Sequence, residues 1–170
     1  HTLKEVELRH LEVSDQIFPQ LDYRVYQPEQ PRFGEALKAL QPEKPLILML
    51  SWEFPPQHVG GLGIHVRDLS VELVRKGWNV HVLTVAHDGN ASFNMVQGVG
   101  VHYIPTCQPL DDKGDFMAWM LQLNLALADY GREFVSYLNN PVIFHAHDWL
   151  VAYAARELQT TVQAPLVTTI

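Results

Sequence analysis

From residue 45 onward the apolar positions fall into two recurring patterns. Short, mostly apolar runs at Leu46–Leu50, Val80–Val85 and Val142–Ala146 predict strands covered on both faces. Between them lie longer stretches with apolar residues three and four apart. Ile64–Lys76 predicts a helix with Ile64, Leu69, Leu73 and Val74 turned inward and Arg67, Asp68, Glu72, Arg75 and Lys76 largely outward. Gly77 stops it in the manner of a residue just past a helix end. A second helix starts at Asp115 and runs towards Leu138, with Phe116, Trp119, Met120, Leu123, Leu127 and Tyr130 as its core stripe, until Asn139-Asn140-Pro141 breaks it. Phe93–Val96 and Val101–Ile104 flank Gln97-Gly98-Val99-Gly100 and predict a hairpin or two short strands. Leu150–Leu158 predicts a last helix and Leu166–Ile170 a last strand. This alternation predicts an α/β domain: a parallel β-sheet with helices on both faces, joined by right-handed crossovers.

Residues 1–44 break the pattern. They hold Pro19, Pro28, Pro31 and Pro42 and are rich in Gln and Glu. A short strand at Val6–Val13 and a short helix at Phe33–Leu40 are the regular elements predicted there. The division is therefore an extension or linker over 1–44 and a domain over 45–170.

Composition narrows the function classes. Of 170 residues, 47% are apolar and 18% charged, enough for a buried core. The formal charge is −7, with 12 basic and 19 acidic residues and no basic run, so nucleic acid and anionic membrane surfaces are not expected partners. No apolar run approaches the roughly 18 residues of a transmembrane segment. The one cysteine, Cys107, forms no disulfide within the chain and fits a cytoplasmic location. The chain starts at His1-Thr2-Leu3-Lys4 and stops in strand-like sequence, so it reads as a piece of a longer protein, truncated at its carboxyl end.

In parallel sheets ligands bind beyond the carboxyl ends of the strands, which directs attention to two junctions. The first is Ser51 to Leu62, which holds Gly60 and Gly61 and leads into Gly63. Glycines before a helix let an anion approach N–H groups that carry about half a positive charge, and a diphosphate is a natural guest. A loop that merely turns the chain is the alternative. No Walker sequence is present, and Val66 stands where a dinucleotide fingerprint beginning at Gly61 needs its third small residue.

The second junction is His145-Ala146-His147-Asp148-Trp149. Alternation places His145 and His147 on one side and Ala146 and Asp148 on the other. The His-x-His pair lacks an evident third metal ligand, so no metal is expected. Asp148 also suits the cap of the following helix. No nucleophile elbow occurs. His58, His65, His81, His87 and His102 read as surface or packing residues, with His65, just after the glycines, the one closest to the chemistry.

Together, Ser51-Trp52-Glu53-Phe54-Pro55-Pro56 leading to Gly60-Gly61-Leu62-Gly63, and His145-Ala146-His147-Asp148-Trp149 followed by Pro165-Leu166-Val167-Thr168-Thr169-Ile170, resemble the N-terminal half of starch- and glycogen-synthase-like glycosyltransferases. The resemblance covers 45–170. It implies a Rossmann-like half of a two-domain enzyme that transfers a hexose, usually glucose, with retention, from a nucleotide sugar such as ADP- or UDP-glucose to an α-glucan or other sugar acceptor. It implies no cofactor, the nucleotide sugar being a substrate. It implies as partners the donor, the carbohydrate acceptor and a C-terminal domain of the same chain, without which this piece is inactive. Carried over by position, Gly60, Gly61, Leu62 and Gly63 with His145 and Trp149 bind donor or acceptor, and His147 and Asp148 are the catalytic pair. Bacterial glycogen synthases typically have Lys two residues before the paired glycines; His58 stands there. That departure widens the resemblance to the broader retaining family. A non-catalytic carbohydrate-binding domain of the same fold and a nucleotide-cofactor oxidoreductase or epimerase half are the other readings.

Overall fold

The central strand, β1 (Leu46–Leu50), is buried at every position, and its alternate side chains feed two separate cores. A computed structural model of the protein describes residues 33–56, 60–106 and 116–170. The strand expected at Val6–Val13, together with His58, Cys107 and Asp115, lies outside the described residues.

In chain order the elements are α1 (Gly34–Lys38), β1, α2 (Gly61–Arg75), β2 (Asn79–Ala86), β3 (Ser92–Val96), β4 (Val99–Pro105), α3 (Phe116–Ser136), β5 (Val142–His147), a single 3-10 turn (Trp149–Val151), α4 (Ala152–Val162) and β6 (Leu166–Thr169). They form one six-stranded sheet in the order β3-β4-β2-β1-β5-β6. All pairs are parallel except β3 with β4, an antiparallel hairpin at one edge. Gln97 and Gly98, both at positive φ (51° and 86°), make the tight turn that the Gln97–Gly100 sequence predicted.

The two faces follow from the alternation of β1. Leu46, Leu48 and Leu50 join Leu83, Phe144, Leu123, Leu127 and Phe134 under α3 and α4. Ile47 and Met49 join Val66, Val71, Val82 and Val101 under α2. Phe33 and Ala36, on the segment that the sequence joined to the N-terminal extension, are buried in the first core, with the Phe33 ring edge-on to Tyr130 at 5.1 Å.

Two expectations about inward faces are corrected. Ile64 is 43% exposed; the buried side of α2 is Gly63, Val66, Ser70 and Val71, with Leu69, Leu73 and Val74 at its margin. Phe116 is 49% exposed, while Met120, Leu123, Leu127 and Tyr130 are buried as predicted. In both cases the misplaced residue lies in the first turn of its helix.

The end of α2 is as predicted. Gly77 sits at φ +89°, its N–H donates to Val74 O and the Trp78 N–H donates to Leu73 O, the paired bonds of a Schellman cap. Its start lies three residues earlier than the apolar pattern indicated. Glycine carries no hydrophobic signal, so Gly61-Leu62-Gly63 read as loop although they form the first turn.

From β1 the chain moves outward through β2 to β4, then returns across α3 to β5 on the other flank of β1. The order reverses between β1 and β5, and the crevice of such a sheet opens at the carboxyl ends of those strands. Leu50 pairs with Ala146, so the two junctions singled out by sequence leave the sheet side by side.

Candidate functional site

The glycine junction is built around an acid. Ser51, fully buried, folds the chain back: its Oγ donates to Glu53 O (2.8 Å) and accepts from Glu53 N (3.3 Å). Phe54 plugs into the core under α2, and Tyr103 Oη donates to Pro55 O (3.3 Å). With its backbone so fixed, Glu53 points under the helix start. Its Oε2 accepts the N–H of Gly60 (3.0 Å) and of Gly63 (3.2 Å), and the side chain is only 5% exposed.

Two of the glycines exist for this contact. A Cβ on Gly60 would lie 2.8 Å from Glu53 Oε2, and one on Gly63 would lie 3.3 Å from Glu53 Cβ. A Cβ on Gly61 would meet nothing within 4 Å. The α2 N-terminus is thus partly filled by an internal carboxylate, and of its three glycines Gly61 is the one with free space beside its Cα. The importance of Glu53 was not visible in the sequence, because its hydrogen-bond partners stand seven and ten residues away with no periodic relation to it.

Across the crevice, β5 delivers His145 and His147 to one side, as the alternation required. Their ring centroids are 4.1 Å apart. His65, one turn into α2, lies edge-on to His147 with centroids 5.6 Å apart. This contact joins the two junctions. His147 is fully buried, and neither ring nitrogen has a hydrogen-bond partner. His145 is half-buried and its Nε2 lies 2.9 Å from Thr169 Oγ1 on β6. Burial, then the neighbouring His145 and His65, pushes the His147 imidazole down to about 3. Burial, then His65, also lowers His145. Both rings are therefore uncharged at neutral pH.

Asp148 follows at φ +73°, a conformation that a non-glycine residue adopts only at a cost and that is often found where function holds it. It caps the 3-10 turn by accepting the Trp149 N–H, and its own N–H donates to Thr169 O (2.9 Å). Trp149 is 54% exposed and its ring approaches Phe116, centroids 6.2 Å apart. A residue outside the sequence motifs fixes this segment. Buried Asn124 of α3 donates to Met120 O and Leu150 O (both 2.7 Å) and accepts the Ala154 N–H (2.8 Å). Mid-helix on an apolar stripe, it carried no signal that it would reach the next junction.

This corner therefore brings together the start of α2 (Gly61, Leu62), the imidazoles of His65 and His145 with His147 behind them, and an aromatic rim (Trp149, Phe116). Among the described residues no three His, Cys, Asp or Glu side chains converge as a metal site. Two other concavities, of about 360 and 280 Å³, are lined by Leu37, Pro42 and Asn140, and by Leu121, Asn124 and Tyr153; neither takes in the glycines or the histidines.

Fold and crevice define a Rossmann-like α/β domain whose functional rim sits at the switch point of the strand order. The sequence profile described as Glycosyltransferase Family 4 matches residues 59–170, and the chain belongs to that family. It is 36% identical over 137 residues to a glycogen synthase of Mycobacterium tuberculosis, covering 73% of this chain and 33% of the relative. It is 30% identical over 129 residues to an uncharacterized glycosyltransferase of Methanocaldococcus jannaschii, covering 73% of this chain and 30% of the relative. The chain thus spans about a third of the length of these curated relatives. Among solved structures, sucrose-phosphate synthase from Thermosynechococcus elongatus has a similar fold, with a TM-score of 0.56 at 16% identity over 74% of this chain and 32% of that one. A C-terminal hydrogenase domain from Pyrococcus furiosus gives a TM-score of 0.53 at 13% identity, covering 77% and 94%. These structural likenesses show a Rossmann-like α/β fold. No helix among the described residues is long and apolar enough to cross a membrane.

Proposed function

We propose that this domain is the acceptor-side half of a retaining hexosyltransferase that moves glucose from ADP- or UDP-glucose to an α-glucan or another sugar acceptor. The observation that carries the reading is the His65–His147 contact, which puts the open start of α2 and the carboxyl end of β5 on one crevice. The Gly61 and Leu62 N–H groups face the departing diphosphate, where preorganised donors lower the cost of the charge that develops on it. Neutral imidazoles offer one donor and one acceptor each, which suits sugar hydroxyls better than a fixed cation does. Asp148, at the rim, accepts from a sugar hydroxyl, and Trp149 offers its exposed face to a pyranose ring. His147 acts from behind, by holding His65 and His145. Cations for the diphosphate come from the C-terminal domain of the same protein. The donor is a substrate and no separate cofactor takes part. We place the enzyme in the cytoplasm, where nucleotide sugars and a lone thiol are at home.

The test is release of nucleoside diphosphate by the full-length protein, given a panel of nucleotide sugars with glucan and small-sugar acceptors. Turnover is expected with a glucosyl donor, and NMR of the product should show the donor's anomeric configuration kept. Gly61→Val should lower kcat/KM roughly tenfold or more by shielding the amides, with the Tm nearly unchanged. Absence of turnover across the whole panel refutes the reading.

A further inference from the structure

The start of α2 presents a conflict of charge. A helix N-terminus attracts anions, yet here a carboxylate of the same chain already holds two of its donors: Glu53 Oε2 accepts from Gly60 (3.0 Å) and Gly63 (3.2 Å). The arrangement is built in. Glu53 is buried, its backbone is held by Ser51, and a Cβ on either glycine it touches would crowd it, at 2.8 Å from Oε2 for Gly60 and 3.3 Å from Cβ for Gly63. Gly61, between them, has open space where a side chain would be. A second feature lies at the same corner. His147, fully buried with both nitrogens unpartnered, rests its ring on His65 of this helix.

We propose that Glu53 is a positioning residue that confines a bound diphosphate to the Gly61 and Leu62 amides and weakens its hold there. This rests on the proposed function above. A helix start free of Glu53 would offer all its first-turn amides and its full partial charge, and it would retain the diphosphate product after transfer. With Glu53 in place two amides are withdrawn, the partial charge is largely offset, and the product meets a like charge. The residue therefore trades affinity for release. It also explains why three glycines are needed: two make room for the internal carboxylate and one for the ligand.

The experiment is calorimetric titration of the full-length protein with inorganic pyrophosphate, ADP and UDP, for wild type, Glu53→Gln and Glu53→Asp. Gln keeps the length and one acceptor oxygen but loses the charge. It should bind at least one of these diphosphates about threefold to tenfold more tightly, with the gain shrinking as salt rises. Asp keeps the charge but loses the reach; it should be less stable and bind no more tightly than wild type. A residue serving only the fold would weaken binding in both variants. Equal or weaker binding by Glu53→Gln, beside a wild type that binds, overturns the proposal and leaves the proposed function intact. Failure of wild type to bind any of the three overturns the proposed function and this inference with it. Should the Gln variant not fold, wild type labelled with ¹⁵N at glycine and leucine still decides the matter. Pyrophosphate should shift the Gly61 and Leu62 amides and leave Gly60 and Gly63 nearly still, whereas equal movement of all four defeats the proposal.

Discussion

Gly100 has no side chain because His81 lies where one would be: a Cβ there would come within 2.6 Å of His81 Nε2. That imidazole is one end of a buried chain, His81 Nδ1 to His102 Nε2 at 2.8 Å and His102 Nδ1 to Tyr130 Oη at 2.9 Å. Ring atoms cannot yield as a flexible side-chain end does. Gly100→Ala should therefore destabilise the domain by roughly 1–3 kcal/mol, read from the urea midpoint; a midpoint within error of wild type would show that the chain can shift. At this scale the sequence revealed which residue types were unusual and not what they were for. Gly60 and Gly63 were legible as anion-site glycines, but the anion they touch is Glu53, whose side chain reaches them only after the Ser51–Pro56 segment has folded back. His81 and His102 were legible as packing residues, and their mutual hydrogen bond was not, since it joins positions 21 apart on strands whose neighbourhood the local sequence does not state.

Elements were far more legible than their contacts. Mostly apolar runs identify β1 and β5, and periodicity identifies α2 and α3, because each pattern reflects local geometry repeated over several residues. A boundary failed where the pattern has no letter to show, at the glycines of α2, and an inward-face reading failed at Phe116, in the first turn of α3. The joint between α3 and the His-Asp-Trp segment depends on Asn124, which ties the Met120 and Leu150 carbonyls and the Ala154 N–H together. Asn124→Ala leaves the Leu150 carbonyl and the Ala154 N–H without that partner and should cost roughly 2–4 kcal/mol. It should also loosen Asp148 and Trp149. The expected kinetic signature in the full-length enzyme is a raised KM for the acceptor with nucleoside diphosphate affinity largely kept. Equal loss of both would place the joint's role in general stability.

Among the described residues, four imidazoles are kept neutral by their surroundings. Burial brings His81 down to about 4; burial, then His81, holds His102 well below its ordinary value; His145 and His147 are lowered in the crevice. Unfolding restores each to near 6.5, so below that pH the unfolded chain binds protons that the native one refuses. Stability must then fall as pH drops from about 6.5 towards 4, and His81 alone removes about 3 kcal/mol by the end of that range. Urea midpoints measured between pH 7.5 and 4.5 should decline steadily, and a flat profile would mean that these rings protonate without unfolding.

The sequence by itself determined the strand and helix inventory, the parallel α/β class, and that two unusual junctions follow β1 and β5, because these follow from local periodicity and from the residue types at the strand ends. Tertiary structure alone decided that the junctions are neighbours, that His65 joins them, and that Glu53 occupies the start of α2. Those facts depend on the reversal of strand order between β1 and β5 and on side chains meeting through space, and neither leaves a trace in the spacing of residues along the chain.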